Sequence, residues 1–148
     1  MRAMVVRMPY LTKTLQQAAK LPTEHDEQVA VIRWWRGCCL QFDCLPEELF
    51  SVPNGGLRSR TFATNQFFRD EGLVRGVADL CLAVPSADGT RSILWIEMKR
   101  RKGGVQSPEQ KAFAERVESR GQAYVLAKGA EQAIDAINTY LRSADERI

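Results

Sequence analysis

The sequence predicts an α/β domain in which one helix, three strands, a second helix and a fourth strand follow one another, with further helices added around them. Three observations carry that prediction. Thr23 precedes an acidic turn and an apolar run, as at a helix N-terminus. Two apolar stretches, Gly76–Val84 and Ile93–Lys99, flank a Pro/Asp/Gly turn and read as a β-hairpin. Ser107 and Pro108 start a later helix that leads into the apolar stretch Gln122–Ala127. A run of strands followed by helix and strand allows a central mixed four-stranded sheet flanked by helices.

Taken in order, residues 10–22 form a weakly amphipathic lead-in that Pro22 closes. Behind Thr23, the acids Glu24, Asp26 and Glu27 suit the positive end of a helix, and Val29-Ala30-Val31-Ile32 with Trp34 and Trp35 supply its apolar side. This helix should run about three turns and end near Gly37. Leu49–Pro53 reads as a short strand and Asn54-Gly55-Gly56 as its turn. A helical stretch then starts at Arg58-Ser59-Arg60 and runs through Phe62, Gln66, Phe67 and Phe68 to Gly72.

The hairpin comes next. In its second strand, alternation puts Ile93, Trp95, Glu97 and Lys99 on one face and Leu94, Ile96 and Met98 on the other. Antiparallel pairing would bring Asp79, near the start of the first strand, beside Glu97. The Ser107–Pro108 helix should extend to Gly121. The last helix, Ala130–Leu141, carries Ala133, Ile134, Ile137 and Leu141 at helical spacing and reads as packing. The organisation is therefore a lead-in at 1–22, one domain at 23–142 and a tail at 143–148.

The chain has 148 residues, 45% hydrophobic and 26% charged, enough apolar material for a single core. Lys and Arg total 21 against 18 Asp and Glu, a net charge of +3. That is too mild for a histone-like binder, so any nucleic-acid contact must come from a local basic patch. The four cysteines show no C-x-x-C pair, and His25 is the single histidine, so zinc spacing is absent and reduced, mostly buried thiols are expected. The N-terminal residues lack the apolar core and cleavage site of a signal peptide, and no stretch reaches membrane-spanning length. A soluble, cytoplasmic protein with no membrane partner is the expectation.

Charge inside buried strands marks a site. Two carboxylates, Asp79 and Glu97, repel unless a cation lies between them, and oxygen ligands suit Mg²⁺ or Mn²⁺. Lys99 could orient a water or stabilise charge developing on a phosphate. Helical phase leaves both Glu24 and Glu27 able to face the sheet. The run Arg100-Arg101-Lys102 is the densest basic stretch in the chain.

The combination Gly72-Leu73-Val74-Arg75-Gly76-Val77-Ala78-Asp79, then Ile96-Glu97-Met98-Lys99, then Gly104-Val105-Gln106-Ser107-Pro108-Glu109-Gln110 resembles the VRR-NUC family of the PD-(D/E)xK nuclease superfamily. The likeness spans residues 24–141. It departs at Ala78, where the family usually has proline, a change expected to leave the Asp79 carboxylate in its role. The resemblance implies a restriction-endonuclease-like αβββαβ core and a bacterial or phage-encoded, metal-dependent DNA endonuclease. It implies that Glu24, Asp79, Glu97 and the Met98 carbonyl hold Mg²⁺ or Mn²⁺, with Lys99 and Gln110 acting on the attacking water. The family's Glu-x-x-x-Gln pattern favours Glu24, paired with Gln28, over Glu27.

Asn54, Arg58 and Arg60, by likeness to the family's Asn-Gly loop, and Arg100, Arg101 and Lys102, by their place beside the site, are expected to contact the DNA backbone. A minimal stand-alone domain of this kind implies a homodimer and a branched, Holliday-junction-like substrate. The alternative is a non-catalytic DNA-binding protein on a nuclease fold. Retention of Asp79, Glu97, Lys99 and Gln110 together argues against it, since binding alone needs no acid pair facing a phosphate.

Overall fold

The structure, a computed structural model, describes residues 21–53 and 62–142. Helix α1, Glu24–Cys38, begins where expected: Thr23 accepts the Asp26 N–H at 3.2 Å, and the Asp26 carboxylate accepts the Thr23 N–H at 2.8 Å. These reciprocal bonds satisfy two helix-end donors, so Asp26 has a local task. Two short 3₁₀ turns, Cys39–Phe42 and Pro46–Glu48, lead into strand β1, Leu49–Ser51. Helix α2 spans Phe62–Asp70, β2 Leu80–Leu82 and β3 Leu94–Lys99. Helix α3, Pro108–Glu118, crosses over to β4, Ala123–Lys128, and α4, Ala130–Leu141, closes the domain.

The sheet order is β1-β2-β3-β4, with β1–β2 and β2–β3 antiparallel and β3–β4 parallel. This is the mixed four-stranded α/β sheet expected of the restriction-endonuclease-like core. A parallel neighbour cannot be reached through a tight turn, and α3 supplies the crossover.

Helices cover both faces. Leu80, Leu82, Leu94, Ile96 and Met98 pack in one core with Val31 and Trp35 of α1 and Ala133, Ile137 and Tyr140 of α4. On the other face Ala78, Phe113 and Val117 enclose Trp95 and Tyr124, with the Trp95 and Phe113 rings 5.2 Å apart edge to face. Trp35 is fully buried and donates its indole N–H to the Pro46 carbonyl at 3.1 Å. It belongs to the core. Strand β3 is consequently buried on both sides, which takes Glu97 and Lys99 out of solvent.

Several boundaries move. Strand β2 covers only the centre of the apolar stretch Gly76–Val84. Continuing its register would set Met98 opposite Ala78, but the Asp79 carboxylate takes the Met98 N–H at 2.8 Å and ends the ladder. Helix α1 runs to Cys38, one residue past Gly37, and α2 is described from Phe62. The four cysteines are free; Cys39, Cys44 and Cys81 are buried and Cys38 half-buried. No helix among the described residues is long and apolar enough to cross a membrane. Most of the lead-in, the tail, and the residues Asn54, Arg58 and Arg60 lie outside the described residues.

Candidate active site

The site lies where β2 and β3 part. The antiparallel register pairs Leu80 with Ile96, so Asp79 falls beside Glu97 and Met98. Glu97 is 1% exposed and Lys99 8%. Lys99 Nζ contacts Glu97 Oε1 at 2.6 Å, and Gln110 Nε2 donates to the same oxygen. Glu97 Oε2 is buried and has no hydrogen-bond partner. An orphaned buried acceptor of this kind costs about 1–3 kcal/mol unless something outside the chain meets it.

Gln110 is fixed from both ends. Its Oε1 accepts the Ser107 N–H at 2.8 Å, closing the capping box that starts α3, while its amide nitrogen serves Glu97. A helix cap thus becomes a site wall. Gly76 makes that wall close: at φ +80° its missing Cβ would lie 2.8 Å from the Gln110 nitrogen and closer still to the Glu109 carbonyl. The segment leading to Asp79 therefore lies directly on the first turn of α3, a contact only glycine permits.

Electrostatics follow from burial. Burial pushes the Glu97 carboxyl up to about 7; the Lys99 hydrogen bond opposes this, and the charges of Asp79 and Glu24 add to it. Asp79 is also raised, first by burial, with the Met98 N–H opposing and Glu24 adding. Both acids thus feel Glu24, half-buried in the first turn of α1. Among the described residues no three acids, histidines or cysteines are already gathered as a metal cage. The donor set is nonetheless all oxygen, and the orphaned Glu97 Oε2 beside Asp79 fits a hard divalent cation.

Glu27, the other acid left open by helical phase, is placed elsewhere. It is 2% exposed and saturated: Oε1 accepts from Arg101 Nε at 2.5 Å and Oε2 accepts the Ala130 N–H at 2.8 Å. The Arg101 hydrogen bond holds its carboxyl below the usual range. The three basic residues after β3 are accordingly unlike one another. All three are exposed, but only Arg101 is tied to a buried carboxylate, Glu27, with Glu131 3.8 Å from its Nη1 as well.

Sequence reasoning placed Gly76 in the motif before Asp79 but missed its close approach to α3, and it did not single out Glu27 as a buried tie or the bond between Gln106 Nε2 and the Tyr124 hydroxyl at 3.0 Å. The alternation of β4 could have flagged Tyr124, which stands in register with Trp95 and on the Glu97 face.

The fold and the site's placement at a split in the sheet define an α/β domain of the restriction-endonuclease type. No family model and no curated protein matches the chain. Among solved structures, a VRR_NUC domain protein matches with a TM-score of 0.69 and 24% sequence identity, over 82% of this chain and 90% of that one. The chain has the fold that its VRR-NUC resemblance implied.

Proposed function

We propose that the protein is a metal-dependent DNA endonuclease of the VRR-NUC type, selective for branched DNA. One observation carries the reading: a buried carboxylate, Glu97, has one oxygen held by Lys99 and Gln110 and the other unpartnered, beside a second, half-buried acid, Asp79. A structural ion pair would not leave that oxygen orphaned.

Asp79, Glu97, the Met98 carbonyl and Glu24 would hold Mg²⁺ or Mn²⁺. Such an ion lowers the pKa of a water and neutralises phosphate oxygens. Lys99 and Gln110 fix the rotamer of Glu97 through Oε1, and Lys99 carries positive charge into the place where the phosphate becomes more negative. Hydrolysis forms a P–O bond to the attacking water and breaks one P–O bond to a sugar; the water gives up a proton to solvent and the leaving sugar oxygen takes one up to become a hydroxyl. Arg100 and Lys102, together with Asn54, Arg58 and Arg60, would bind the backbone. A homodimer would present two opposed sites to a two-fold branched substrate.

The test is cleavage of a labelled four-way junction beside matched linear duplex and flap DNA, in Mg²⁺, Mn²⁺ or EDTA, with wild type and a folded Glu97→Ala variant. Metal-dependent, Glu97-dependent cutting of the junction alone is expected. Cutting of every substrate keeps the nuclease and removes the selectivity. Binding without cutting leaves a DNA-binding protein on a nuclease fold.

A further inference from the structure

The loop between β3 and α3 is held at four points. Its first residue follows Lys99, whose carbonyl accepts the Gly129 N–H at 3.0 Å. Arg101 reaches Glu27 at 2.5 Å, with a second guanidinium nitrogen 3.4 Å from the other carboxylate oxygen. Gly104 lies so close to β3 that a Cβ there would come within 2.8 Å of the Lys99 Cβ. Gln106 donates to Tyr124 at the far end. Arg100, Arg101 and Lys102 are all exposed, and of the three only Arg101 is paired with a buried carboxylate.

Glu27 is the hub of this arrangement. It sits on α1, takes the first N–H of α4, and receives Arg101 from the loop. Although 41% of the Arg101 side chain is open to solvent, its Nε could turn away only by leaving a carboxylate that is 2% exposed, stranding a buried charge, and its Nη1 already lies 3.8 Å from the Glu131 carboxylate. We infer that Arg101 is a positioning residue, locking the β3–α3 loop onto Glu27 so that Arg100 and Lys102 are presented to the DNA backbone, and is not itself a phosphate contact. The inference rests on the DNA-cleaving reading above and deepens it.

The two roles predict opposite signs for one variant. Glu27→Gln removes a negative charge and releases the guanidinium. If Arg101 contacted phosphate, that change would tighten DNA binding. If Arg101 positions the loop, the same change weakens binding, as Arg101→Ala does.

The experiment measures fluorescence anisotropy with a four-way junction and a linear duplex in EDTA, for wild type, Glu27→Gln, Arg101→Ala and the double variant. Hydrogen exchange of the amides of residues 100–106 is followed without DNA. The amide oxygen introduced by Glu27→Gln still accepts the Ala130 N–H, so the variant should fold, and its melting temperature is recorded alongside. Expected are weaker binding in both single variants, about 3- to 10-fold, a double variant no weaker than the worse single one, and faster loop exchange in all three. Glu27→Gln binding as tightly as wild type or tighter, or unchanged loop exchange, overturns the inference. Wild type binding neither DNA instead removes the nuclease reading on which it rests.

Discussion

Two glutamates in this domain are almost equally buried, Glu27 at 2% exposure and Glu97 at 1%, and their surroundings push them in opposite directions. Glu27 has both oxygens bonded, by Arg101 and by the Ala130 N–H, and its pKa is lowered. Glu97 has both donors crowded on Oε1, nothing on Oε2, and a pKa of about 7. Burial alone therefore does not mark a functional acid. A saturated buried carboxylate is a structural tie, while an unsaturated one beside a second acid is a site prepared for a cation.

The comparison breaks most visibly in catalysis. Glu97→Ala or Asp79→Ala should lower the cleavage rate by about a thousandfold or more, with circular dichroism and melting behaviour still those of a folded protein. Cutting by folded Glu97→Ala within about tenfold of wild type would return Glu97 to the same class as Glu27.

Next in size is Gly76→Ala. The added methyl meets backbone atoms of Glu109 and Gln110 that cannot rotate away, at a positive φ that alanine resists. A loss of about 3 kcal/mol or more is expected in denaturant unfolding. Gly72→Ala shares the positive φ but meets nothing within 4 Å, so it should cost clearly less.

The two glutamates should also differ in the pH dependence of stability. A carboxyl raised from 4.5 to about 7 carries no folding penalty below pH 4.5, an increasing one between 4.5 and 7, and the full one above. In EDTA, Glu97→Gln should thus stabilise the protein by about 1–3 kcal/mol at pH 8 and not at pH 4. Glu27 has the opposite sign. Its lowered pKa contributes stability above pH 4.5 that is lost as pH falls through the folded value, so Glu27→Gln should destabilise at pH 8 by about 1–2 kcal/mol and much less under acid conditions. Thermal unfolding of both variants across pH reads both signs.

What the sequence made legible is local. Thr23 and Ser107-Pro108 located helix starts because capping depends on neighbours three residues apart, and alternation along Ile93–Lys99 put Glu97 and Lys99 on one face. The Asp79–Glu97 approach was legible because a hairpin fixes register over a short span. The Glu27–Arg101 tie was not, since 74 positions separate its partners and neither residue's immediate surroundings encode the other. The basic run Arg100-Arg101-Lys102 looked uniform for the same reason. Gln110 was half legible: its place in the first helical turn could be read, but its simultaneous bonds to Ser107 and Glu97 depend on how α3 lies on the sheet.

The smallest effect separates the two acids of α1 directly. Glu24 raises both Asp79 and Glu97 through its charge, whereas Glu27 is not among the main influences on either. In metal-free protein, Glu24→Gln should lower the Glu97 titration midpoint slightly, since the Glu24 charge is the smallest of the influences acting on it. Carboxyl chemical shifts followed by NMR across pH 5–9 would resolve it. Glu27→Gln should leave that midpoint in place. Should Glu27→Gln shift it and Glu24→Gln not, the helix acid that belongs to the site would be Glu27, and the contrast between a saturated tie and an open site would fail where it was drawn.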